Sequence, residues 1–599
     1  ATNSLNVAVG FQAGAAVTTG QSNVLIGGLA GDALTDADSN VAIGKTALTS
    51  DTLGSRSTAV GQSALFTQNF TTATNGYNVA VGYNAGALIT TGIQNTLIGS
   101  LAGDALTDAD FNVALGYAAL GADVKGSRAT AIGYGALAAQ SFSTGTNSDN
   151  TAVGYTAGVS ITTGTQNTFV GSLAGDAIDT ASANVAMGYE ALSTDTKGEQ
   201  SVAIGYRALK TQNQSTSANA YNTAVGSQAG TSVTTAKFNA LIGGLAGDAL
   251  TTGNSNIAIG YNSLGADTKG ENSVAIGDQA LAAQNFTTAT DTYNVAVGAS
   301  AGISITTGIQ NVLVGGLAGD ALTDADHNVV LGTNALGSDV MGSRSTAIGH
   351  GTLFTQNFTT DTNSYNTAVG YQAGNDVTTG IQNTLIGGEA GAEITDSDNN
   401  VAIGYASLGA NKLGSQTTAV GAGALNNQNY ATATNSQNTA VGYHAGLSIT
   451  TGVQNAILGA RAGDALTNAN YNVAIGEQAL TTDTLGSRSV AVGFGALAIQ
   501  NLTTSTDTYN TAVGSNAGEQ LTTGIHNVFI GGLAGDFLTD ADDNVAVGYT
   551  ALSADRLGSK STAIGRGTLS NQAFTTATDS FNTAVGYHAG HQITTGQQN

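Results

Sequence analysis

The stretch YNVAVGYNAG, residues 77–86, sets a short apolar run, Val79, Ala80 and Val81, against a closing Gly82 and a polar tail. So short a run stopped by glycine reads as a brief β-strand entering a turn, not as a helix. The string returns, lightly edited, along the whole chain. Its glycine falls at Gly10, Gly27, Gly44 and Gly61, then at Gly82, Gly99, Gly116 and Gly133, giving spacings of 17, 17, 17 and 21 residues. The larger unit is therefore 72 residues and recurs without insertion or deletion. Its copies are 7–78, 79–150, 151–222, 223–294, 295–366, 367–438, 439–510 and 511–582, with a partial copy at 583–599. Strict phase from end to end predicts one continuous array over residues 1–599, with no linker.

Composition fits an array. There are 83 Gly, no Pro or Cys, 9% charged residues and 41% hydrophobic ones, which suits neither collagen nor disorder. The apolar runs are too short to span a membrane as a helix. A net charge of −24 argues against a nucleic-acid partner, which calls for basic patches.

Counting from Asn78 as position one, each unit reads N-V-A-V-G-x-x-A-(G/L) before a variable polar segment. Seventeen residues hold two short strands and two turns, too few for a three-sided coil. The expected fold is all-β, a parallel β-solenoid in the form of a two-sided β-roll with 17/17/17/21-residue rungs. Each strand would pair in parallel with its equivalent one rung on, and 33 rungs at about 4.8 Å would make a rod of roughly 160 Å.

Individual positions sharpen the expectation. The fourth is always Val, Ile, Leu or Met, as a residue facing the coil interior should be, and the eighth is always small. The fifth is Gly in every rung (Gly10, Gly27, Gly44, Gly61), which implies positive φ or close backbone approach. The first is Asn in three rungs of each copy: Asn6, Asn23 and Asn40, then Asn78, Asn95 and Asn112. Stacked amides of this kind form a structural ladder, and Asn tolerates left-handed turn geometry. The third position, on the opposite strand face, is also apolar (Ala8, Leu25, Ala42, Ala59). A strand apolar on both faces is normally covered on both, so a second chain is expected against the outer one.

The strings SVAIGYRAL (201–209), SVAIGDQAL (273–281) and NVAIGEQAL (472–480) resemble the head repeats of YadA-like trimeric autotransporter adhesins. NTAVGYxAG with TTGxxN, at 367–383 and 439–455, is similar to repeats of phage tail-fibre-like proteins. The first resemblance implies a left-handed roll and a homotrimer, whereas general crossover rules favour the right hand. The chain departs from the adhesin pattern in rungs three residues longer and in lacking a visible neck or stalk.

Two sets of side chains are candidate sites. GDALTDADSN, residues 31–40, sets Asp36 and Asp38 two apart, a spacing repeated by Asp108 with Asp110 and Asp324 with Asp326. It matches the opening of a calcium loop but lacks the later Gly and bidentate Glu. Other copies carry Thr180 with Ser182, Thr252 with Asn254, or Asn468 with Asn470. An Asp-rich turn bonding its own backbone is the preferred reading, and calcium the alternative. The four extra residues of each fourth rung, as in LFTQNFTTATNGYN (65–78), should bulge outward. Phe70 and Tyr77, with Phe286, Tyr293, Phe358 and Tyr365, would then either contact glycans or host surfaces or, as preferred, pack over the rod.

Catalysis finds little support. The six histidines are scattered, no Cys is present, and IGKTAL (43–48) lacks the first glycine of a phosphate loop. The expected function is a non-enzymatic extracellular fibre or adhesin, at a cell surface or virion, self-associating laterally or end to end. A phage tail-fibre or spike shaft and a purely structural filament subunit are the alternatives.

Overall fold

The computed structural model describes residues 4–599. Among them there is no helix, and the chain divides into two compact units, Ala1–Ala299 and Ser300–Asn599. The units are built alike. In the first, 17 three-residue strands run from Val7–Val9 to Val295–Val297; in the second, 16 run from Val312–Val314 to Thr583–Val585. Within each unit every such strand pairs in parallel with its equivalent one rung on. Val7 faces Val24, Ala8 faces Leu25 and Val9 faces Ile26, and the longer fourth rung keeps phase, with Thr58 facing Val79. Each unit is thus an all-β parallel solenoid.

The far side of each coil differs from the expected second strand. It consists of stacked turns, bonded rung to rung through backbone groups such as Gly14 N to Ala30 O (2.9 Å) and Thr18 N to Thr35 O (2.9 Å). Two-residue strands form there only where a third rung meets a fourth, as Gly54–Ser55 pairs with Thr74–Asn75. The extra residues of the fourth rung thus give the turn side its only ladder among the described residues.

The strand faces are the reverse of the expectation. Position three, not position four, points into the coil: Leu25, Ala42, Ala59 and Phe169 are fully buried, whereas Ile26 is 36% exposed and Leu115 43%. The reason is volume complementarity at position nine. Where position three is large, the neighbouring ninth residues are glycines. A Cβ on Gly14 would lie 2.6 Å from Leu25 Cδ1, and one on Gly175 would lie 2.5 Å from the Phe169 ring. Where position three is Ala42 or Ala59, the ninth residues are the buried Leu48 and Leu65. Large and small residues are thus matched across facing positions, as close packing of an interior requires. The small eighth residues Ala30, Ala47 and Ala64 are also fully buried, as a narrow corner requires.

The invariant fifth glycine meets both conditions inferred for it. Gly82 has φ of +142°, and a Cβ there would stand 2.5 Å from the carbonyl oxygen of Gly99 in the next rung. The left-handed turn residue is not the Asn of position one but the residue before it, as in Tyr77 (φ 50°) and Ser22 (φ 57°).

A Gly82→Ala substitution is expected to lower the urea unfolding midpoint, by a stability loss on the order of 1–3 kcal/mol for a non-glycine residue forced into this backbone region. Gly28→Ala, where an added Cβ meets nothing within 4 Å, should leave the midpoint unchanged. Equal midpoints for the two variants would mean that the rungs stand further apart.

Candidate functional surfaces

The Asn ladder runs inside the coil. Asn23 N donates to Asn6 Oδ1 at 2.8 Å, and Asn23 Nδ2 donates to Ala37 O at 2.8 Å. Asn40 N then donates to Asn23 Oδ1 (2.9 Å), and Ser57 N to Asn40 Oδ1 (2.8 Å). Each amide therefore accepts from the backbone of the next rung and donates to a turn carbonyl near the end of its own rung, which answers groups that burial would otherwise leave unpaired.

At the fourth rung Ser57 replaces Asn, and a buried polar cluster takes over. Gln68 Nε2 donates to Asp51 Oδ2 (2.6 Å) and to Ser57 Oγ (3.1 Å), while its Oε1 accepts from Asn78 Nδ2 (2.9 Å). Asp51 Oδ1 accepts from Gly54 N (3.0 Å) and Phe70 N (3.1 Å). Asp51 and Gln68 occupy the core place held by Leu34 in the second rung. Burial pushes the carboxyls of Asp51 and Asp339 above the usual carboxylate value in spite of these donors. In the sixth copy Asn411 stands in place of the acid, and Tyr430 replaces Phe70. The Tyr430 hydroxyl donates to Gly452 O at 2.6 Å, and burial raises its pKa to about 12. Sequence reasoning missed this cluster, although the repeated pairing of Asp51 with Gln68 and Asp123 with Gln140 at a 17-residue interval was its visible signal.

A second row of acids follows the second-rung glycine. Asp32 and Asp464 accept the hydroxyls of Thr49 and Thr481 from the next rung. Where that rung carries Gly121 or Gly265 instead, Asp104 and Asp248 lose this donor, and burial pushes their carboxyls up. Asp176, Asp248 and Asp536 each keep a buried carboxylate oxygen without a hydrogen-bond partner. Asp536 is raised from 3.8 to about 6, first by burial and further by the nearby charge of Glu519.

The acids singled out for calcium sit in turns and make rung-to-rung bonds. Asp38 Oδ1 accepts from Gln21 N (2.7 Å), Asp110 Oδ1 from Ile93 N (2.8 Å) and Asp326 Oδ1 from Ile309 N (2.7 Å). Asp36 accepts the Thr19 hydroxyl and Asp324 that of Thr307 (2.6 Å), each from the preceding rung, whereas Asp108 accepts that of its sequence neighbour Thr107 (3.1 Å). The substituted copies do the same work: Ser182 Oγ accepts from Thr165 N (3.0 Å), Asn254 Oδ1 from Lys237 N (2.9 Å) and Asn470 Oδ1 from Val453 N (2.8 Å). The bond joins neighbouring rungs, a step beyond the local turn expected. No group of three or more His, Asp or Glu side chains suited to a metal gathers among the described residues.

The fourth-rung aromatics separate. Phe70, Phe286 and Phe358 are buried at 4%, 7% and 6% exposure, folded over the Asp51-type cluster, so they present nothing to a ligand. Tyr77, Tyr293 and Tyr365 are exposed. Arg56 Nη1 donates to the Tyr77 hydroxyl at 2.6 Å with its guanidinium 5.6 Å from the ring centre, and Arg344 treats Tyr365 alike. These tyrosines form one margin of the outer strand face. Tyr77, Val79, Val81 and Tyr83 alternate outward, and the far margin continues in rings such as Tyr117, Tyr134 and Tyr155, stacked 5.3 and 5.4 Å apart. The face thus carries an apolar row of fourth residues beside a row of second residues that are mostly valine or threonine, with aromatic rings recurring along both margins. No helix among the described residues is long and apolar enough to cross a membrane. No protein-family model matches the chain, and no curated protein matches it.

The titration of Asp536 has a definite sign. Its folded pKa lies above the unfolded value, so between about 3.8 and about 6 the folded chain holds a proton that the unfolded chain has released. Its stabilising share is complete below that window and is lost as pH rises through it. Asp536→Asn needs no proton, so it should raise the urea midpoint near neutral pH while leaving it close to the parent's at about pH 4. Paired melts at the two pH values check this; equal gains at both would contradict it.

Proposed function

We propose that the chain is a non-enzymatic extracellular fibre that acts as a laterally associated homotrimer and carries attachment surfaces away from a cell or virion. The observation that carries this reading is the outer strand face. Ile98, Leu115, Met187, Ile242 and Leu331 are between 36% and 47% exposed and stand in register up the sheet of their unit. Contiguous apolar surface of this kind marks an interaction site, and its rim of tyrosine and arginine matches the residue types enriched at protein interfaces.

A second copy of the same chain is the natural occupant, because a repeated face is self-complementary along its length and needs no partner of different periodicity. The resemblance to YadA-like head repeats supports three chains and a left-handed coil. The same face serves a tail-fibre shaft equally well, and both belong to one functional class, attachment at a distance. The acidic surface, with 40 Asp and Glu against 16 Lys and Arg, keeps separate assemblies apart.

Sedimentation equilibrium of the full chain is expected to give three times the 59.1 kDa chain mass. Replacing Ile98, Leu115 and Ile242 with Lys should shift the mass toward one chain while leaving the circular dichroism spectrum unchanged, since all three side chains face outward. A parent chain that sediments as a monomer would remove the trimer.

A further inference from the structure

The second unit carries a surface groove produced by local departures from the repeat. Two hollows of about 290 and about 420 Å³ adjoin at Gln372 and run from Asn334 to Asn426 along the corner that follows the strand-ending glycines. At one rung per 4.8 Å the six rungs involved span roughly 24 Å. Sequence explains the opening. The residue two after the second-rung glycine is Leu in six copies, including Leu317 and Leu533, but Glu389 here. The place held by Asp in the other seven copies is Ala392, and Ala33 and its counterparts are replaced by Glu393. Gly409 deepens the floor: a Cβ there would lie 2.5 Å from Asn426 Oδ1.

The lining combines three kinds of group. Phe354 and Tyr405 offer exposed rings, Gln372 and Asn426 offer amides, and Glu389 and Glu393 offer carboxylates over a floor of alanine and glycine. Neither acid is left unanswered: Glu389 lies beside the Tyr405 phenol and pushes its pKa up, and Lys412 Nζ lies 3.8 Å from Glu393. The groove therefore does not call for a cation, and its carboxylates would repel an anion. What remains are flat apolar faces and hydrogen-bond acceptors and donors arrayed along a line.

We propose that this groove binds a linear, uncharged oligosaccharide, whose ring faces lie on Tyr405 and Phe354 and whose hydroxyls bond the amides and the remaining carboxylate lone pairs. The replacements Glu389, Ala392 and Glu393 occur together in one copy, unlike the repeated outer face.

The test is calorimetric titration of the full chain with cellohexaose and with the N-acetylglucosamine hexamer, using the parent and the double variant Glu389→Leu with Ala392→Asp. These replacements are the residues that other copies carry at the same places, so the variant keeps the fold while refilling the groove. Saturable binding of at least one hexasaccharide, weakened about tenfold or more in the variant, is expected. Absence of binding with both sugars, equal binding by the variant, or binding of hexalysine in place of the sugars would overturn the proposal.

Discussion

Within each unit the rungs are held at a fixed offset from one another by backbone hydrogen bonds along the stack, and the approach is so close that position five admits no side chain. Gly10 to Gly27, Gly27 to Gly44 and Gly44 to Gly61 leave 2.4–2.5 Å between a hypothetical Cβ and the next carbonyl oxygen. That contact fixes phase. Once phase is fixed, the Asn6, Asn23, Asn40 relay can place each amide oxygen under the backbone N–H of the following rung, and Leu25 can fill the space that Gly14 and Gly31 leave. A slip of one residue would turn Ala42 outward and put Val41 and Ile43 inside a coil with no room for them.

The same constraint explains why one rung in four is different. Rungs cannot stack indefinitely on amides alone if the fourth must accommodate four more residues and a serine in place of Asn. The polar cluster of Asp51, Gln68, Ser57 and Asn78 re-closes the relay across that longer rung, with Phe70 as its lid. A buried acid met by neutral donors is costly, and the sixth copy, with Asn411 donating to Gly414 O at 2.7 Å, shows that a neutral amide fits the same place. The cluster thus reads as a marker of register that recurs with the 72-residue period.

Much of this was legible in the sequence, and the failures have physical causes. Strict spacing disclosed the parallel stack, and the invariance of Gly10, Gly27, Gly44 and Gly61 disclosed the close approach. Which strand face lay inside was misread because Val41, Ala42 and Ile43 are apolar on both faces, so a period of two carries no direction. The deciding signal was the reciprocal size of positions three and nine, Leu25 with Gly31 against Ala42 with Leu48. The role of Asp38 was half legible: its turn was foreseen, but its bond to Gln21 N crosses 17 residues and so escapes any local reading. Phe70 was read as packing over the rod, and its ring is buried, but nothing in its neighbourhood revealed that Asp51 and Gln68 lie beneath it. The groove at Glu389 was hidden for a different reason, since it depends on what one copy lacks relative to the other seven.

Absence of cysteine allows the central claim to be tested directly. Paired cysteines at Val41 and Thr58, which face each other across neighbouring rungs, are expected to form an intramolecular disulfide readily under mild oxidation, as judged by intact mass and non-reducing electrophoresis. Val41 paired with a cysteine at Ala59, whose side chain is buried in the coil, should remain reduced. Rapid cross-linking of the second pair, with the first left open, would contradict both the register and the assignment of faces.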